Sequence, residues 1–338
     1  MPYQKSAIYY KPGIIKIVKQ KVPIIDNNSI LLKIMSCSIC GSDIKIYKNG
    51  SKRISSPRIL GHEISGIVFK KGKDVNKFNI GDRLSLGADI SKKIDFAFGY
   101  EIDGGLTQYL SISSQILKHG PIQKFDKKIN YDLAALAEPL ACCLNGYEKS
   151  CVKKHKTIVI FGAGPIGIIL ALVGKYYKAK KIIFVEKSKI REKFVKKNLK
   201  FIDSIYNPNI HDIKSEIMKK TNNLGTDYIF TANSEVSTQS QSLKIIKKGG
   251  VINLFGGLPD GSKNIILPSN LVHYNELSIV GSHGSSITQH KKAIKLIESK
   301  KIKLDKLITH KYKLSQIHKA FDTAISGRAI KIVINPNA

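Results

Sequence analysis

The sequence predicts an α/β protein of two domains, a small β-barrel-like domain and a doubly wound parallel-sheet domain. Three observations carry this. Up to about residue 145 the chain is a series of short β-rich runs broken by Gly, Pro, Asn and Asp. From Lys156 onward, apolar strands alternate with helical segments, the pattern of a parallel sheet wound by crossover helices. A glycine-rich turn joins the first of those strands to its helix.

In chain order, the first domain's strands are expected at Ile14–Val18, Ile30–Met35, Ile64–Phe69 and Leu106–Ile112. Thr157–Phe161 is a continuous apolar strand, followed by a helix at Pro165–Tyr177. A second strand is expected at Lys181–Val185, a helix at Arg191–Lys200, and further strands at Tyr228–Ala232 and Val251–Phe255. The last segment carries a helix at Gln289–Ser299 and a terminal strand at Ile330–Ile334. The expected boundaries are 1–145 with 286–338 for the β-domain, and 146–285 for the parallel-sheet domain.

With 338 residues and 42% hydrophobic content, each domain can bury its own core. The most apolar stretch, Ile166–Gly174, is nine residues long, against the roughly 20 that span a bilayer, so no membrane association is expected. Residues Met1–Tyr10 lack the apolar core of a secretory signal, and five cysteines do not make a disulfide scaffold. A reducing, cytoplasmic setting is expected. The formal net charge of +31 raises the question of nucleic acid. The basic residues are spread along the chain, however, and only Arg53, Arg58, Arg83, Arg191 and Arg328 are arginines, the side chain suited to bidentate recognition. A solvated lysine-rich surface is the expected reading, and it could still draw an anionic substrate or cofactor.

Gly162-Ala163-Gly164-Pro165-Ile166-Gly167 is a G-x-G-x-x-G set between an apolar strand and an apolar helix. Gly162 permits the tight turn, Gly164 lets the backbone reach a pyrophosphate, and Gly167 lets helix and strand pack closely. Pro165 suits a first-turn position, and the helix N-terminus favours an anion. Glu186 ends the next strand, where an acid would grip ribose hydroxyls and repel a 2′-phosphate. NAD is therefore expected over NADP, although Lys187 and Arg191 lie close by and could bind a 2′-phosphate.

Three short pieces hold zinc-ligand types: Cys40-Gly41-Ser42-Asp43, Gly61-His62-Glu63 and Glu138-Pro139-Leu140. Thiolate, imidazole and carboxylate together suit Zn²⁺ with one position left open. Such a zinc lowers the pKa of an alcohol, whose alkoxide then gives up hydride. Cys37 forms a C-x-x-C with Cys40, but no redox-fold setting surrounds it, so packing is expected there, as for Cys142, Cys143 and Cys151.

With Gly81-Asp82-Arg83, these motifs fall in one order along most of the chain. The chain resembles the zinc-dependent medium-chain dehydrogenases, in their sorbitol (polyol) and threonine dehydrogenase-like branch. The resemblance implies a GroES-like β-barrel catalytic domain and a Rossmann domain with the substrate in the cleft between them. It implies one catalytic zinc held by Cys40 and His62, with Glu63 and Glu138 completing the shell, one directly and the other through water. Ser42, Glu63 and Glu138 form the implied catalytic set, Ser42 taking the substrate proton, and Asp43 orients His62. Phe255 and Ser282 fall in segments beside the nicotinamide, and Lys331 aligns with a basic residue near the pyrophosphate; His283 either faces the substrate or is structural. The implied reaction passes hydride between a secondary alcohol (a polyol, sugar alcohol, inositol or sugar phosphate) and NAD, in a homo-oligomer (dimer or tetramer). A threonine dehydrogenase-like activity and a zinc-free reductase of the same fold are the alternatives, with a nucleic-acid-binding protein less favoured.

Two departures stand out. Family members often carry four cysteines after the G-D-R motif for a structural zinc, and here residues 84–103 contain none. Loop 88–100 offers only Asp89 and Asp95 as acids and is expected to hold its shape by packing Phe96, Phe98 and Tyr100. Lys45 stands where the family usually has a proton-path histidine, and a charged lysine is a poor base.

Overall fold

The computed structural model describes residues 3–338 other than 92, 93, 260 and 263. Contacts divide the chain into two units, Met1–Ala141 with Gly284–Ala338, and Cys142–His283. The first division falls within the helix Ala137–Lys149, which the β-rich pattern around it had hidden.

In the first unit, the larger sheet runs in the order Ile122–Lys124, Arg83–Leu86, Glu63–Lys71, Ile30–Ser38, Lys331–Asn335 and Ile308–Lys313, with Tyr109–Ile112 also paired to Ile30–Ser38. A smaller sheet joins Ile14–Lys21, Tyr3–Lys11 and Arg58–Ile59. Alternate residues of these strands, among them Ile30, Leu32, Ile34, Leu84, Leu86, Ile332 and Ile334, fill one apolar core. The strand expected at Ile30–Met35 continues to Ser38 because its last three residues pair with Glu63–Ser65. Ser38 stands opposite Glu63 in that ladder and opposite Val333 on its other side. Lys331, two residues before Val333, therefore shares their face.

Helix Gly41–Asn49 begins directly after this strand. Asp43 accepts the backbone N–H of Cys40 at 2.8 Å, closing the helix start, and Gly50, at φ 78°, ends it. In place of a cysteine-rich lobe, Asp89–Ser91 pairs with Ile94–Ala97 as a hairpin. Lys92 and Lys93 of that loop lie outside the described residues.

The second unit is a six-stranded parallel sheet in the order Ser204–Tyr206, Lys181–Val185, Thr157–Phe161, Thr226–Thr231, Ile246–Leu254 and Ser278–Gly281. Thr157–Phe161 is buried along its whole length, as a central strand covered on both faces must be. Helix Pro165–Tyr176 carries Pro165 in its first turn, as expected. The helix expected from Arg191 starts at Lys189, because Ser188 caps it by accepting the N–H of Arg191. Among the described residues no helix is long and apolar enough to cross a membrane.

Candidate metal and dinucleotide sites

The first unit gathers Cys40, His62 and Glu63 so that one donor atom from each lies within 4.8 Å of the others. Their positions follow from the backbone. Cys40 caps the helix, while His62 and Glu63 lead into the strand paired with Ile30–Ser38. Gly61 has φ 91°, and a Cβ there would lie 2.6 Å from the Cys37 sulfur, so only glycine fits this turn. Buried as it is, Cys37 has its thiol pushed well above the ordinary range, and it packs rather than ligates.

His62 is 4% exposed, and among the described residues its Nδ1 has no hydrogen-bond partner but lies 3.6 Å from Asp43 Oδ1. Burial opposes a charged imidazole here, yet Asp43 and Cys40 outweigh it and hold the pKa well above the ordinary histidine value. Asp43 itself is fully buried and accepts the backbone N–H of Gly61 at 3.2 Å as well as that of Cys40. Ser42 Oγ stands 3.4 Å from His62 Nε2. The thiolate, imidazole and carboxylate donors, three among the described residues and close together, fit a zinc ion with an open position, and a catalytic zinc is the kind that keeps one.

Glu63 is 0% exposed; its Oε1 meets Lys331 Nζ at 2.5 Å, and its Oε2 accepts from the Ser38 hydroxyl. Lys331 Nζ also donates to the carbonyl of Ile39 at 3.1 Å. Lys331, expected beside a pyrophosphate, is thus paired with Glu63. Buried at 3% exposure, its ammonium is committed to neutralising Glu63. Glu138 is buried and close enough to support the charge of Lys331, but its carboxylate does not join the Cys40–His62–Glu63 group. Lys45 is exposed on the helix that begins at Cys40; partial burial lowers its pKa, and the Cys40 sulfur opposes the shift.

Tyr100 was expected only to pack. Its ring lies 5.6 Å from that of His62, and its hydroxyl interacts with Ser42. Phe98 is buried as expected, but Phe96 is 48% exposed and packs no core. No sequence signal marked Tyr100, because its place depends on how loop 88–100 folds back toward His62.

In the second unit, Gly162 has φ 97°, and a Cβ on Gly167 would lie 1.9 Å from the Gly162 carbonyl. That contact explains both glycines of the turn. Ile166 follows Pro165 in the first helical turn, and its carbonyl is met by the Cys143 thiol. Glu186, 5% exposed, accepts the N–H groups of Ala163 and Ser188, each at 2.7 Å. Arg191 Nη1 lies 3.6 Å from Glu186, and its guanidinium stands beside Gly164. Lys187 pairs instead with Glu235. Phe255 packs on Gly146; Ser282 donates to Asn253 at 2.8 Å, and Asn253 in turn donates to Ser150 at 2.9 Å. The His283 carbonyl accepts from Asn145 at 3.2 Å. Arg191, Glu186 and the glycine turn thus meet at one end of the sheet.

Comparison with known proteins matches residues 26–121 to an alcohol dehydrogenase GroES-like domain and residues 165–299 to a zinc-binding dehydrogenase domain. The chain is 28% identical to D-arabinitol dehydrogenase 1 of Uromyces fabae, covering 100% of this chain and 99% of that one. It is 29% identical to D-arabitol-phosphate dehydrogenase of Enterococcus avium, covering 94% and 92%. A protein described as a short chain alcohol dehydrogenase from Escherichia coli CFT073, solved with NADH, superposes with a TM-score of 0.87 at 22% identity, covering 99% of this chain and 100% of that one.

Proposed function

The chain belongs to the zinc-dependent medium-chain dehydrogenases, in the polyol and threonine dehydrogenase-like branch, and from that premise we propose that it oxidises a secondary alcohol of a polyol or polyol phosphate to the ketone, with NAD as hydride acceptor. The observation that carries this is the Cys40, His62 and Glu63 donor group with the Ser42 hydroxyl beside it. Zinc, when bound, supplies a Lewis acid that lowers the pKa of an alcohol hydroxyl, and NAD supplies the hydride acceptor.

The chain's own residues do the rest. Cys40 and His62 would hold the metal, and the Asp43 carboxylate, 3.6 Å from Nδ1, supports the His62 imidazole by charge. Lys331 and Ser38 balance and orient the Glu63 carboxylate. Ser42 takes the substrate proton. In the second unit, Gly162, Gly164, Pro165, Ile166 and Gly167 cradle the pyrophosphate, with the Arg191 guanidinium beside Gly164. Glu186 is held in place by two backbone donors and excludes a 2′-phosphate by charge. Phe255 and Ser282 line the nicotinamide end.

Relatives acting on arabinitol and arabitol phosphate support the substrate class. A reducing, cytoplasmic setting is proposed, since five cysteines in 338 residues do not make a disulfide scaffold, and a homo-oligomer is the assembly proposed. The test is NAD reduction across a panel of polyols, polyol phosphates and L-threonine. Turnover of a polyol or its phosphate is expected; selective turnover of threonine, or none with any secondary alcohol, would overturn the reading.

A further inference from the structure

Tyr100 is held with unusual care for a packing residue. Gly99, at φ 75°, approaches so closely that a Cβ would lie 2.9 Å from the backbone nitrogen of Gly61, one residue before His62. The turn is closed by Gly99 N–H donating to the Ile102 carbonyl at 2.8 Å and Phe98 N–H to that of Ala88 at 3.1 Å. Glu101 accepts the Ala97 N–H at 2.9 Å and both arms of Arg53, at 2.8 and 3.1 Å. Arg53 then lies over the Tyr100 ring, its guanidinium carbon 4.5 Å from the centroid. The ring therefore neighbours both Arg53 and His62, and its hydroxyl meets Ser42.

Ser42 needs such a partner. To accept a hydrogen bond from the substrate hydroxyl, a serine hydroxyl must turn a lone pair toward it and donate its own O–H in a hydrogen bond to another acceptor. The protonated Lys45 ammonium has no lone pair, so it cannot be that acceptor. A tyrosine oxygen can.

We propose that Tyr100 is a positioning residue for the alcohol oxidation, its hydroxyl oxygen accepting the Ser42 O–H so that the serine lone pair faces the substrate hydroxyl. The inference rests on the dehydrogenase reading of the site. Failure of that reading shows in the wild type, which would reduce no NAD; failure of this one shows only in the variants.

The experiment compares wild type, Tyr100→Phe, Ser42→Ala and the double variant, each zinc-loaded. Tyr100→Phe should lower kcat about tenfold to a hundredfold, with KM for the polyol nearly unchanged. Its zinc content, its melting temperature and its calorimetric affinity for the polyol should stay at the wild-type values. The double variant should be no slower than Ser42→Ala, since residues acting as a unit are not additive. An unchanged kcat, rate losses that multiply in the double variant, or a loss of zinc or stability in Tyr100→Phe would each overturn the proposal.

Discussion

Lys331 and Glu63 form an ion pair with both side chains almost wholly out of water, Nζ 2.5 Å from Oε1, joining the strand Lys331–Asn335 to the strand Glu63–Lys71. Such a pair is costly to break one-sidedly, because the remaining charge stays buried. Lys331→Met should therefore cost about 3–5 kcal/mol of stability, read from urea denaturation. Adding Glu63→Gln should recover part of that loss. If the single variant is as stable as wild type, the pair does not hold the two strands together.

Metal content tests the donor group. Washed, metal-replete protein should carry close to one zinc per chain by elemental analysis, and Cys40→Ala or His62→Ala should bring it near zero. Those variants should lose dehydrogenase activity and still bind NAD, since the glycine turn belongs to a different unit of the chain. A reproducible value near two would reveal a second ligand set.

Cofactor choice tests Glu186. Wild type should prefer NAD to NADP in kcat/KM. Glu186→Ala removes the repulsion and also two backbone hydrogen bonds, to Ala163 and Ser188. NAD efficiency should fall by about tenfold or more, from the loss of charged hydrogen bonds, while the NAD-to-NADP ratio narrows. A wild-type preference for NADP would assign Arg191 to the 2′-phosphate instead.

His290 sets part of the acid stability. It is fully buried beside the Ser85 hydroxyl at 3.1 Å, with Nδ1 lacking a hydrogen-bond partner among the described residues, and burial lowers its pKa from 6.5 to about 4. The unfolded chain binds the proton first as pH falls. Its contribution is thus present above about 6.5 and is lost progressively down to about 4. The loss amounts to about 3 kcal/mol. His290→Gln should show that much less pH dependence of unfolding free energy between pH 7.5 and 4 than wild type; parallel profiles would count against it.

Much of the fold was legible because local chemistry decided it. The run Thr157–Phe161 is apolar throughout and can only be a doubly covered strand, and the glycines that follow it tolerate contacts that no Cβ survives. The helix Ala137–Lys149 was missed because it lies between β-rich runs and carries Pro139 in its first turn, where proline is tolerated. Phe96 was misread because a hairpin alternates its faces and turns that ring outward.

What the sequence determined by itself was the inventory: a thiolate, an imidazole and two carboxylates in an order that suits zinc, a phosphate-cradling turn, and an acid at the end of the next strand. These are signals within a few residues, and backbone geometry at that range leaves few alternatives. Tertiary structure decided the pairings. It matched Ser38 with Glu63 by strand register, sent Lys331 to Glu63 across the sheet, and brought Tyr100 to Ser42 through a glycine turn resting on Gly61. Those partners are far apart in the chain, and only the register of the ladders and the close approach of two backbones set which side chains meet.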